Sequence, residues 1–241
     1  MTQLHSMTAI DTVPEANQLF NEWTDWKWQQ KNAVRSVDQL LQVFPGIPQN
    51  ISEAIRRNTK TRRLQITPYY LRLIRRTPDG LAPLADDPLW RQVVPYWEIE
   101  GDTAYEYDGQ TENWEMPEEM VTPIAQHKYD NRVIIRLANV CHAYCQFCYE
   151  ALRTLEKHSF KPTFQQEHWD ATIDYLRRHE EIEEVILSGG EPLMHTDEQF
   201  EHVLADLRNL GRQIAIRIHT RALTFNPFRI TSSFTNSSSK W

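Results

Sequence analysis

The sequence predicts an α/β protein, a helical N-terminal region followed by an incomplete, partial (β/α) barrel. Two observations predict it. From residue 130 onward, short apolar runs alternate with stretches of helical spacing, the pattern of parallel βα units. Before that, residues 15–76 show little strand alternation and carry helix starts and stops instead. The 241 residues suffice for a buried core. They divide into a helical region with an acidic linker over 1–120, a barrel portion of about three βα units over 121–231, and a disordered, serine-rich tail over 232–241.

In chain order, Trp23 and Trp26 stand at i,i+3 in a tryptophan-rich stretch that ends at Gln30. Ser36 with Gln39 forms a capping box before Leu40 and Leu41. Pro45-Gly46-Ile47-Pro48 ends that helix. Between Ile51 and Arg76 lie eight Lys or Arg and one acid, Glu53. This reads as a solvated helical face, with a phosphate or partner contact as the sharper alternative. Pro78, Gly80, Pro83 and Pro88 mark a loop, and Glu98 to Glu119 holds nine acids with no Lys or Arg, an exposed linker.

In the second part, Arg132–Ala138 is the first predicted strand. Residues 163–179 form a helix, with Phe164, Trp169, Ile173 and Leu176 at helical spacing. Residues 184–188 are a second strand, and 196–210 a second helix capped by Thr196 with Gln199. Residues 213–219 are a third strand. The tail from Thr231 is too polar for the helix due next.

Composition bounds the function. Hydrophobic residues make up 40% and charged residues 24%, a globular balance. A net charge of −7 argues against a general nucleic-acid binder. No apolar run approaches ~18 residues, and the start lacks a secretory signal. The expectation is a cytoplasmic protein without membrane or nucleic-acid partners.

The three cysteines, Cys141, Cys145 and Cys148, fall within eight residues after the first strand. An odd, tight set is no disulfide framework; in a reducing compartment it reads as metal-binding or redox-active. Zinc in a structural site takes four ligands, and His142 is awkwardly adjacent to Cys141. Three thiolates suit an iron–sulfur cluster with one iron left free of protein. A more distant fourth ligand for zinc, or plain structural thiols, remain the alternatives. After the second strand, Ser188-Gly189-Gly190-Glu191 offers glycines that let backbone approach a ligand, and a carboxylate that could take an ammonium group. The bland alternative is an ordinary strand-to-helix turn. In parallel βα units both loops open on the same face.

The C-x3-C-x2-C spacing resembles the signature of radical S-adenosylmethionine (SAM) enzymes, and Ser188–Glu191 resembles the motif that holds SAM there. Further segments resemble one family within it, the lysine 2,3-aminomutases. They are Trp23–Gln29, Ile66–Ile74, Tyr129–Val133, Leu187–Leu193, Arg217–Arg221 and Arg229–Thr231. The resemblance implies a [4Fe-4S] cluster on Cys141, Cys145 and Cys148, and SAM lined by Ser188, Gly189, Gly190 and Glu191. It also implies pyridoxal 5′-phosphate (PLP) whose phosphate meets Lys128, Tyr129 and Arg132. The implied chemistry is reductive cleavage of SAM to a 5′-deoxyadenosyl radical that drives amino-group migration in a small, amino-acid-like substrate. The electron comes from a reducing donor, and a homo-oligomer is expected. Tyr144, just before Cys145, is expected to pack against cluster or SAM, and the His219-Thr220-Arg221 turn either touches the SAM ribose or is a plain strand terminus.

Two departures stand out. Glu150 follows the third cysteine where the family carries arginines, one of which grips the substrate carboxylate, so a different substrate is implied. The chain is also expected to be C-terminally truncated relative to the family, without the lysine that holds PLP; Lys240 in the tail is a poor stand-in. The alternative function is therefore a catalytically incomplete iron–sulfur or SAM-binding fragment, or a redox module.

Overall fold

The computed structural model describes residues 20–96, 116–154 and 163–238. Among the described residues the helical region holds, after a helical turn at residues 20–23, five further short helices. Helix α1 (Trp26–Lys31) starts on the Asp25 side chain, and α2 (Val37–Val43) on the capping box of Ser36 and Gln39. Helix α3 (Gln49–Asn58) carries Arg56 and Arg57 in its last turn, and α4 (Pro68–Leu73) is capped by Thr67. Helix α5 (Pro88–Val93) falls where the sequence suggested only loop. Asp87 accepts from the amides of Leu89 and Trp90, and Pro88 needs no amide partner at that position. Leu40, Phe44, Ile55, Ile66, Tyr70, Trp90 and Val93 form its core. The acidic linker lies almost wholly outside the described residues.

The barrel portion contains a five-stranded mixed sheet in the order β1-β2-β3-β4-β5. Strands β1 (Met120–Thr122) and β2 (Ala125–Tyr129) pair antiparallel ahead of β3 (Arg132–Ala138). The alternation of apolar and polar positions in so short a hairpin is slight, and the expected order of strands missed it. The boundary expected at 120/121 cuts through β1.

Two parallel units follow. A short helix α6 (Ala151–Thr154) closes the cysteine loop, and α7 (Gln166–Arg178) leads to β4 (Glu184–Gly189). Helix α8 (Asp197–Arg208), with the predicted Thr196–Gln199 box, leads to β5 (Ala215–Ile218). Strand β4 pairs parallel with β3 on one side (Ile135 beside Leu187) and with β5 on the other (Leu187 beside Ile218). Val133, Ile135, Leu137, Val185 and Leu187 bury against Trp169, Ile173, Leu176, Phe200, Val203 and Leu207 of the two helices. The period of two places Arg136 on the opposite face.

Helix α9 (Ala222–Phe225) follows β5, and α10 (Ser232–Ser238) occupies the stretch expected to be a disordered tail. One aromatic supplies what the composition lacked. Phe234 is buried, its ring 5.7 Å from Phe200, with the Arg229 guanidinium 4.5 Å above it. Among the described residues no helix is long and apolar enough to cross a membrane.

Candidate functional site

The cysteine loop leaves the C-terminal end of β3, and the Gly189-Gly190-Glu191 turn leaves the same end of β4. The two lie backbone to backbone. The Gly190 amide donates to the Ala138 carbonyl at 2.5 Å, and the Glu191 amide to Val140 at 2.8 Å. A Cβ on Gly190 would stand 2.5 Å from the Val140 oxygen. A Cβ on Gly189, whose φ is +100°, would stand 2.8 Å from the Ala138 oxygen. The glycines thus let one loop lie on the other. The backbone that the glycines bring close is that of the cysteine loop, on which the Gly190 and Glu191 amides are spent.

The Glu191 carboxylate, expected to face an ammonium group, ties the loop after β4 to the loop after β5. Oε1 accepts from the Leu193 amide at 3.0 Å and the Thr220 hydroxyl at 2.6 Å; Oε2 accepts from the Arg221 amide at 2.9 Å. Burial pushes its carboxyl up, and those donors oppose the rise. Ser188, the first residue of that motif, sits beside Arg136 in the parallel register, half-buried.

All three cysteines are free and partly buried. Burial pushes every thiol up, Cys145 to about 11, and repulsion from Cys148 raises both Cys141 and Cys145. Burial favours the neutral thiols, and metal ligation displaces their protons. Among the described residues no three His, Cys, Asp or Glu side chains gather tightly enough for a single metal ion. A cluster asks less, since each thiolate bonds a different iron. His142 turns away: its ring is buried, its Nδ1 lies 2.5 Å from Gln30 Nε2, and burial brings its pKa down to about 3. Three thiols without a fourth soft ligand fit a cluster with one iron open.

Both halves of the chain hold this loop. From the helical region, Gln65 Nε2 donates to the Cys141 carbonyl at 2.7 Å, and the Gln92 and Val93 carbonyls accept from Gln146. Ala143 and Cys145 pack into the helical core. Tyr144, expected beside the cofactor, is buried, with its hydroxyl 3.2 Å from an Arg63 donor and that guanidinium 5.7 Å over the ring. From the barrel, buried Arg136 donates to both Glu150 oxygens at 2.9 and 3.0 Å, and to Gln126 at 2.7 Å. Arg153 approaches Glu150 to 3.8 Å. Glu150 is therefore clamped by arginine and is not a bare repellent charge.

The Lys128, Tyr129 and Arg132 trio stands together, with the Arg132 guanidinium 5.7 Å over the Tyr129 ring. It lies at the start of β3, about 20 Å of strand away from the cysteine loop. Lys128 pairs with Glu119 at 3.6 Å, and Tyr129 is exposed. Tyr129 and Arg132 thus stand at the opposite end of β3 from the cysteine loop. In the His219-Thr220-Arg221 turn, Thr220 and the Arg221 amide are held by Glu191, and Arg221 lies 5.4 Å over Phe147, which is exposed between the second and third cysteines.

Sequence reasoning missed Gln65, Gln92 and Arg136. Arg136 had a signal, a lone cation inside an apolar strand; Gln65, between Leu64 and Ile66, had a fainter one.

The family model of the radical SAM superfamily matches residues 135–232. The L-lysine 2,3-aminomutase of Clostridium subterminale is 31% identical over 224 residues, 91% of this chain and 50% of that protein. That of Bacillus subtilis is 33% identical over 219 residues, 91% of this chain and 43% of the relative. The glutamate 2,3-aminomutase of Clostridioides difficile is 30% identical over 223 residues, 91% and 48% respectively. The chain spans about half the length of the curated relatives it matches.

Proposed function

We propose that this chain, which matches the radical SAM superfamily model over residues 135–232 and is similar to lysine 2,3-aminomutases, is an isomerase-type enzyme that uses a four-iron cluster and SAM. The observation that carries the reading is the three-thiol loop locked by Gly189 and Gly190 onto the neighbouring strand end. When bound, the cluster and SAM supply one-electron reductive cleavage of the sulfonium.

Cys141, Cys145 and Cys148 would hold three irons and leave the fourth for SAM. Gly189 and Gly190 fix the distance between the loops, and Glu191 ties the β5 loop to them. Phe147 and Arg221 stand exposed and half-buried at the rim beside the cysteines. Gln65 and Gln92 close the helical region over the other side of the loop.

Amino-group migration in an amino-acid-like substrate is the finer part of the proposal, supported by the names of the relatives. Lysine and glutamate both appear among those names, so substrate choice varies within the likeness. PLP is supported by the names of the relatives alone, and no step is assigned to it. A soluble one-electron reductant is the partner this chemistry needs.

A second reading is favoured by one observation. The amides of Gly190 and Glu191 and the Glu191 carboxylate all bond within the chain. An iron–sulfur module without SAM chemistry would show that arrangement. An anaerobic assay of reconstituted protein with dithionite and SAM separates the two. The enzyme forms 5′-deoxyadenosine, and Cys145→Ala forms none. Iron-loaded protein that forms none supports the module.

A further inference from the structure

We infer that Gln65 is the positioning residue that shapes the cysteine loop to receive iron, so that the helical region serves as a template for the cluster site. The inference rests on reading the three cysteines as iron ligands.

Gln65 is 8% exposed, and both polar atoms of its side chain are engaged. Nε2 lies 2.7 Å from the Cys141 carbonyl, 3.2 Å from the His142 carbonyl and 3.0 Å from Gln30 Oε1. Oε1 accepts from Arg35 Nε at 2.9 Å. An arginine can only donate, so the oxygen must face Arg35 and the amide hydrogens must face the loop. The backbone adds a further tie, because the Gln65 carbonyl accepts from the Tyr144 amide at 3.3 Å. One residue thus sets the path of the chain from the first cysteine to the residue before the second.

Gln65 is itself fixed from behind. Val34 and Ile66 form a bridge with amide–carbonyl bonds of 2.9 and 3.0 Å, and the Ile66 side chain is fully buried. Gln30, which touches Gln65, also reaches His142. Carbonyl oxygens repel one another, so a donor is required where Nε2 sits. A carboxylate there would place a lone pair against the Cys141 oxygen. A leucine would leave two buried carbonyls without their donor.

The test compares wild type, Gln65→Glu, Gln65→Leu and Ser36→Ala. Ser36 caps α2 in the same region and makes no bond to the loop. Each is reconstituted anaerobically with iron and sulfide, then challenged with a chelator. Iron and visible absorbance are read per chain, beside far-ultraviolet circular dichroism and the melting temperature.

Wild type is expected to retain about four irons. Both Gln65 variants keep the apo dichroism and lose iron to chelator about tenfold faster, the range for a group that orients a metal ligand. Ser36→Ala melts lower and keeps its iron. Should Gln65→Leu lose its fold, the isosteric Gln65→Glu decides the matter. Gln65 variants that hold iron like wild type overturn the inference and leave the proposed function standing. Wild type that takes up no iron overturns the proposed function, and the inference with it.

Discussion

Removing the Glu150 carboxylate would leave Arg136 buried without its principal charge partner. Truncating one side of such a pair typically costs about 3 kcal/mol, so Glu150→Ala is expected to lower the free energy of unfolding in urea by that order. A loss under about 0.5 kcal/mol, the scale of an ordinary surface change, would show that the clamp is not what holds the loop to β3. Gly190→Ala acts at the other contact. Its Cβ would stand 2.5 Å from the Val140 oxygen, so the two loops must part. The expected outcome is a stability loss of about 1–3 kcal/mol and weaker iron retention; a variant that melts and loads as wild type contradicts the close approach. Residues of this kind show how far single positions can be read in advance. The cysteines and the glycine pair stood out in the sequence by type and spacing, but that the glycines would seat one loop on the other did not. The role of Glu150 was not, because a carboxylate's meaning depends on which cations the fold brings to it. The role of Glu191 was half legible: its place was evident, and its three internal donors were not.

Among the elements, capping signals translated directly into helix starts. The Ser36–Gln39 and Thr196–Gln199 boxes form as read, since a cap is a local bond that needs no tertiary partner. Asp87 was passed over inside a proline-marked loop, although Asp followed by Pro is a helix start. Burial would push its carboxyl up, but the Trp90 amide, Arg75 and the Leu89 amide together hold it below its ordinary value of 3.8. A folded-state value below the unfolded one stabilises the protein at neutral pH, and that contribution is lost as pH falls through the folded-state value. Asp87→Asn, which keeps a capping side chain and removes the charge, is therefore expected to lower stability near neutrality. The gap from wild type should close as acid unfolding is followed below 3.8; a gap that stays constant with pH would show that the charge contributes nothing. The β1–β2 hairpin and α10 were illegible for a different reason. Their stability comes from neighbours: β2 leans on β3, and α10 on the packing of Phe234 against Phe200 and Arg229.

At the scale of the whole molecule, two cores meet at the cysteine loop. The helical core takes in Ala143 and Cys145, and the sheet core lies behind β3 and β4. The order of strands and helices revealed the second core; nothing in the sequence announced that the first would close over the loop. Among the described residues β5 pairs only with β4, and Ile218 and Leu223 near its end are exposed. An open parallel edge of this kind invites pairing between chains. Self-association rising with concentration is expected on gel filtration, and Ile218→Lys should reduce it; an unchanged elution profile for that variant would place the contact elsewhere. The central claim is narrower than any of these, namely that the protein grips an iron cube at three corners and leaves the last to SAM. Mössbauer spectroscopy of protein reconstituted with 57Fe tests it most directly. The account predicts that adding SAM shifts the signal of one iron and leaves the others in place. Irons that all stay unchanged with SAM, or a protein that binds none, would contradict it.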